Sequence, residues 1–188
     1  MLEQLKQYAM DHHIPIICDE GLLFLDVTIK KYQVKDVLEI GTAIGYSALA
    51  MASFGCKIDT FERNIKMIEH AKEHFNQYDH KNQIHLFPYD ALDYQGELKT
   101  YDMIFIDAAK AQYQNFFEKF VPYLKPNGIV VCDNLSFHHL KPELVNRNTR
   151  QLIGKINAFK TFLIENPDFE TTFYDQGDGM SVSQRKRI

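Results

Sequence analysis

Two short segments carry the strongest chemical signal in this sequence. Phe105-Ile106-Asp107-Ala108-Ala109-Lys110 closes one apolar run, and Val131-Cys132-Asp133-Asn134 closes another. Adjacent parallel strands lie about 5 Å apart, so Asp107, Asp133 and Asn134 should converge at one sheet edge. Three oxygen donors suit Mg²⁺, which prefers octahedral oxygen coordination and keeps positions open for water or substrate. Two substrate oxygens on adjacent carbons would fill such positions as a chelate, and the metal would acidify and orient the bound hydroxyl. Lys110, one turn beyond Asp107, stands where a base would take that proton once the nearby cation lowers its pKa. Beside a single carboxylate it would read as an ordinary helix-surface lysine. The pairing with Asp133-Asn134 is what favours the catalytic role. His138 and His139 are not expected as ligands, because Mg²⁺ prefers oxygen.

A second constellation precedes it. Leu38-Glu39-Ile40-Gly41-Thr42-Ala43-Ile44-Gly45-Tyr46-Ser47 ends an apolar run in a glycine turn. Gly41 and Gly45 let the backbone turn tightly near a ligand, and the following helix offers N–H groups at its start. Glu62 lies about 20 residues beyond Gly41, where a carboxylate can accept from both ribose hydroxyls. Its plain alternative is a solvated strand-end charge. Tyr89-Asp90-Ala91 is placed for an adenine edge, although Asp90 would serve equally as a helix N-cap. A dinucleotide fold would want GxGxxG to seat a pyrophosphate. Here Ala43 takes the place of the middle glycine and the spacing differs, which disfavours NAD. Glu39 would face phosphates badly but suits a positively charged methyl donor.

The elements that must position these residues alternate along the chain, the pattern of a parallel sheet with crossover helices. Strands are predicted at Val34–Ile40, Lys57–Phe61, Gln83–Phe87, Tyr101–Ile106 and Gly128–Cys132. Two more, Phe169–Tyr174 and Met180–Arg185, flank a Gly177-Asp178-Gly179 turn. Helices are predicted at Tyr46–Phe54, after Asn64 as cap with Ile65, Ile68, Ala71 and Phe75 on one face, around Tyr113, Phe116, Phe117 and Phe120, and over Thr149–Ile164. Residues 133–148 read as a polar loop over a site.

The chain has 188 residues, enough for one α/β domain and too few for two ordinary ones, so 1–188 is read as a single domain. No stretch approaches the roughly 20 apolar residues of a membrane span, and the N-terminus lacks a signal-peptide hydrophobic region, which predicts a cytoplasmic protein without membrane association. Cys18, Cys56 and Cys132 are too sparse for a disulfide framework or structural zinc, and Cys132 reads as a buried reduced thiol. A net charge of −4 gives no global footprint for nucleic acid, so any RNA contact must be local.

Taken together, the segments LEIGTAIGYSALAMA, FIDAAKAQYQNFF, GIVVCDNLSF and GDGMSVSQRK resemble the metal-dependent, catechol-type O-methyltransferases of bacteria, a class I methyltransferase family. The likeness spans about residue 14 to 187, and Asp107 with Lys110 and Asp133-Asn134 is its most specific part. It implies a Rossmann-like α/β fold, a mostly parallel seven-stranded sheet with an antiparallel last strand and helices on both faces. It implies S-adenosylmethionine held by Glu39, Gly41, Ser47, Glu62, Asp90, Ala91 and Asp107. It further implies Mg²⁺ or another divalent cation on Asp107, Asp133 and Asn134, with Lys110 as base beside Asp107. Within the family the chain looks most like the tRNA 5-hydroxyuridine methyltransferases, which complete 5-methoxyuridine at the wobble position. In 5-hydroxyuracil, O4 and the 5-hydroxyl can chelate a metal as a catechol does.

Lys141, Arg147, Arg150, Lys155 and Lys160, facing only Glu143, and the closing Arg185, Lys186 and Arg187 would supply phosphate contacts, with Arg147 and Arg150 the named RNA-binding candidates. The bland alternative is a solvated helix face and a basic tail. The N-terminal segment is shorter than in many relatives, and polar Cys18-Asp19-Glu20 replaces a stretch that covers the cofactor in them; a homodimer stays open. The rival substrate is a small catechol of caffeoyl or flavonoid type. A non-catalytic nucleotide-binding module and an NAD-dependent oxidoreductase are the alternatives of other classes.

Overall fold

A computed structural model of the chain describes residues 1–136 and 146–186. His138, His139, Lys141, Glu143 and Arg187 lie outside the described residues. The chain runs α1 (Leu2–Asp11), α2 (Asp19–Tyr32), β1 (Asp36–Ile40), α3 (Tyr46–Ser53), β2 (Lys57–Phe61), α4 (Ile65–Tyr78) and β3 (Ile84–Phe87). It continues with β4 (Tyr101–Ile106), a 3₁₀ turn at Lys110–Gln112, α5 (Tyr113–Phe120), a second 3₁₀ turn at Val121–Tyr123, β5 (Leu124–Cys132), α6 (Arg147–Glu165), β6 (Phe169–Tyr174) and β7 (Met180–Arg185).

The seven strands form one sheet in the order β3-β2-β1-β4-β5-β7-β6. Strands β1 to β5 pair in parallel, and β7 runs antiparallel to both β5 and β6. The strand order reverses between β1 and β4, and ligands of open α/β sheets collect at the strand ends beside such a reversal. Alternation along the strands divides the core. Val37, Met103, Phe105, Ile129 and Val131 pack under α1, α2 and α3. Leu38, Ile104, Ile106, Val130 and Cys132 pack under α5 and α6. Strands buried on both faces explain the near-continuous apolar runs of β4 and β5.

Local details differ from the sequence expectation for physical reasons. Ile65, the first residue of α4, is 73% exposed, and His74 completes the buried stripe with Ile68 and Ala71. Strand β5 begins at Leu124 rather than Gly128, and a register shift opposite Tyr101 and Met103 accommodates Pro126. Helix α6 begins at Arg147 because Asn146 Oδ1 accepts from Thr149 N at 2.9 Å. Helix α2, which carries no clear apolar period, ends where Gln33 turns left-handed. Among the described residues, no helix is long and apolar enough to cross a membrane. Cys56 and Cys132 are buried free thiols and Cys18 is exposed; burial pushes the Cys132 thiol up to about 12.

Candidate active site

The loop from Gly41 to Gly45 connects β1 to α3 and forms one wall of a cavity of about 580 Å³. Gly41 has φ +106°, and a Cβ there would overlap the carbonyl oxygen of Asp107, so only glycine lets the two strand ends approach. Ala43 adopts φ +45°, a conformation strained for a residue with a Cβ. It is held there by its N–H, which donates to Glu62 Oε2 at 2.9 Å. Gly41 and Thr42 N–H groups donate to Phe61 O at 3.0 and 3.1 Å. The first-turn N–H groups of α3, at Tyr46 and Ser47, have no intrahelical acceptor and border the cavity.

Glu62 uses its other oxygen to accept from the N–H groups of Arg63 and Asn64, each at 2.9 Å. Asp90 accepts from Leu92 N at 2.9 Å and from Arg63 Nη1 at 2.8 Å, and these donors hold its carboxyl below the usual range. The Arg63–Asp90 pair therefore ties the end of β2 to the loop after β3. Glu62, Asp90, Ala91, Gly41 and Ser47 all line the same cavity.

Glu39 is placed differently. It is fully buried and does not line the cavity. Its carboxylate accepts from Ser47 Oγ and Thr60 Oγ1, both at 2.5 Å, so it lies beneath the cavity floor and fixes the start of α3 to β2. Burial raises its carboxyl to about 7 against the lowering effect of those two donors. Thr60, a hydroxyl between Asp59 and Phe61 that carries no motif of its own, is the second anchor.

At the other end of the cavity, parallel pairing of β4 with β5 brings Asp107 and Asp133 together. Asn134 Nδ2 donates to Asp107 Oδ1 at 2.9 Å, and Lys110 Nζ donates to Asn134 Oδ1 at 3.0 Å. Asn134 sits at φ +62°, and its N–H donates to Asp133 Oδ1 at 2.5 Å. Tyr113 Oη donates to Asp133 O at 3.0 Å. Burial raises the Asp107 carboxyl to about 6, and burial with the Asp107 charge raises Asp133 to about 7. Asp178 adds negative charge to both and lines the cavity; in sequence it read only as part of a turn. That turn docks on the Asn134 segment through Leu135 N to Gly179 O and Ser136 N to Asp178 O.

A concentration of carboxylates that burial discourages from ionising is what a hard cation relieves, and an amide oxygen and carboxylates are the donors such a cation prefers. Among the described residues, no three His, Cys, Asp or Glu side chains form a metal cluster by themselves. The set that fits is two carboxylates and one amide. Asp107, Lys110 and Asn134 line the cavity, whereas Asp133 is 2% exposed behind them. Arg147 and Arg150 are exposed in the first turn of α6 and do not line it.

The sequence profile of the O-methyltransferase family matches residues 1–186. The chain belongs to that family. A Staphylococcus aureus crystal structure, provisionally named a caffeoyl-CoA O-methyltransferase, superposes on this methyltransferase with a TM-score of 0.89 at 36% identity, covering 98% of this chain and 92% of that one. Tapetum-specific methyltransferase 1 of Arabidopsis thaliana is 31% identical over 194 residues, 96% of this chain and 82% of the relative. An SAH-bound methyltransferase from Podospora anserina gives a TM-score of 0.76 at 27% identity, over 87% and 77% of the two chains. The methyltransferase thus has the mostly parallel seven-stranded sheet of its family, with β7 reversed.

Proposed function

We propose that this O-methyltransferase takes its methyl group from S-adenosylmethionine and, with a divalent cation on Asp107, Asp133 and Asn134, methylates one of two oxygens on adjacent carbons. The observation that carries the proposal is the meeting of Asp107, Lys110 and Asn134 with the Gly41–Ser47 loop and Glu62 in one cavity. The SAH bound by the Podospora relative supports the donor. A cavity of about 580 Å³ lies within the usual range for small-ligand sites.

The donor supplies an electrophilic methyl carbon on a sulfonium, and the cation supplies a Lewis acid beside the acceptor oxygen. The residues of the chain do the remaining work. Glu62, already oriented by three backbone amides, keeps lone pairs for ribose hydroxyls. Asp90 and Ala91 border the adenine side. Glu39 lies below Ser47, outside the cavity, and acts on the site by fixing the start of α3. As the neutral amine, Lys110, held at Asn134, would take the acceptor's hydroxyl proton and leave that oxygen to accept the methyl group.

The names of the relatives favour a small catechol of caffeoyl type as acceptor. A second acceptor, 5-hydroxyuridine at the wobble position of tRNA, presents the same pair of adjacent oxygens. Exposed Arg147 and Arg150, on a helix whose first acidic residue is Glu165, favour it. Asp133→Ala tests the shared chemistry. It should abolish turnover and the cation-dependent rise in melting temperature while leaving SAH affinity within a few-fold. Turnover that survives in this variant, or wild-type turnover in chelator, would sink the metal role.

A further inference from the structure

His74 lies in α4, outside the cavity, and is 9% exposed. Its Nδ1 stands 2.8 Å from the carbonyl oxygen of Ile44, one residue before the end of the Gly41–Gly45 loop. A carbonyl only accepts, so this contact requires the proton on Nδ1. The next residue of α4 meets the same loop: a Cβ on Gly45, which has φ +86°, would overlap the Phe75 ring. Helix α1 closes over the pair. The Tyr8 ring packs edge-on against His74 with centroids 5.3 Å apart, its hydroxyl lies 3.1 Å from His70 Nδ1, and the His12 ring stacks on it at 4.0 Å. The chain then leaves α1 through left-handed His13 and reaches Pro15, Ile16 and Ile17, which line the cavity.

We propose that His74 is a positioning residue for the cofactor loop, its Nδ1–H holding the Ile44 carbonyl so that the turn from Thr42 to Gly45 keeps the shape that receives the donor. This rests on the donor assignment above. Glu62 holds the front of the turn at the Ala43 N–H, and His74 holds its back at the next carbonyl. Removing the rear donor leaves a buried carbonyl unsatisfied and frees a loop that ligand binding must then order. The loss should appear in donor affinity and not in the chemical step.

The test begins with the wild type. Nitrogen-15 histidine NMR, at a pH well above the histidine range, should show His74 as the Nδ1–H tautomer, with a resonance that shifts when SAH is added. An Nε2–H tautomer, or a resonance indifferent to SAH, would overturn the proposal. Two variants follow, read by calorimetric SAH affinity and by KM against kcat. His74→Phe keeps the ring and loses the donor; it should weaken SAH about tenfold and leave saturated kcat within about twofold. His74→Asn restores a donor near the Nδ1 position and should recover wild-type affinity within about twofold. Equal loss in both variants, or a fall confined to kcat, contradicts the role. Wild-type protein that binds no SAH would instead overturn the donor assignment, and this role with it.

Discussion

Asn134 Nδ2 donates to Asp107 Oδ1 at 2.9 Å, joining the carboxyl ends of β4 and β5 by a side-chain amide. The same amide accepts from Lys110 through its oxygen, so one residue links Asp107 to Lys110. The hydrogen bonds from Asn134 and the Lys110 charge offset only part of the cost of burying Asp107 and Asp133 side by side, and both carboxyls stay raised, to about 6 and about 7.

That cost predicts a pH dependence. A carboxyl raised in the folded state binds its proton more tightly there, so stability falls as pH rises from the unfolded value near 4 to the folded value. Asp107, Asp133 and Glu39, the last raised to about 7, all contribute in this direction. Asp36, Asp90 and Asp102 are lowered, and their contribution is lost only at more acid pH. Thermal melts in chelator should show the melting temperature falling by several degrees between about pH 4 and 7. A divalent cation should recover the two aspartates' share of the loss near pH 7, not that of Glu39, and little near pH 4. A flat profile, or equal stabilisation at both pH values, would count against a cation at the two aspartates.

Thr60→Val removes one of the two hydroxyl donors to Glu39 while keeping the β-branched shape. The expected loss is about 1–3 kcal/mol in denaturant unfolding at pH 8, because a buried carboxylate loses a partner. It should shrink at pH 5, where Glu39 holds its proton. A pH-independent loss would mean that packing or the Thr42 hydroxyl contact, and not the carboxylate, is what Thr60 supports.

Arg147→Ala with Arg150→Ala separates the two acceptor classes. If tRNA is the substrate, the double variant should lower the salt slope of tRNA binding by about 2 and leave SAH affinity unchanged. Unchanged tRNA binding with unchanged caffeate turnover would favour the small catechol.

The ends of β2, β4 and β5 were legible because each stops at an acidic residue, Glu62, Asp107 and Asp133. Asp107, Asp133 and Asn134 met once β4 and β5 proved adjacent. Strands β2, β4, β6 and β7 have the bounds their patterns predicted. What sequence could not carry was depth and direction. Glu39 and Glu62 both sit at a strand's end, yet alternation turns Glu39 beneath the sheet edge and leaves Glu62 at the cavity. His74 reads as one polar residue in an amphipathic helix; only the packing of α1 and the Ile44 carbonyl gives it a place. Asp178 looked like turn chemistry because the contact that brings it to Asp107 crosses from one chain end to the middle.

The most direct measurement is transfer of labelled methyl from S-adenosylmethionine to caffeate and, in parallel, to tRNA carrying 5-hydroxyuridine, with Mg²⁺ and with chelator. Label is expected on one of the adjacent oxygens of at least one acceptor, present with the cation and lost without it. Label that persists in chelator, or none in either acceptor with the cation present, would contradict it.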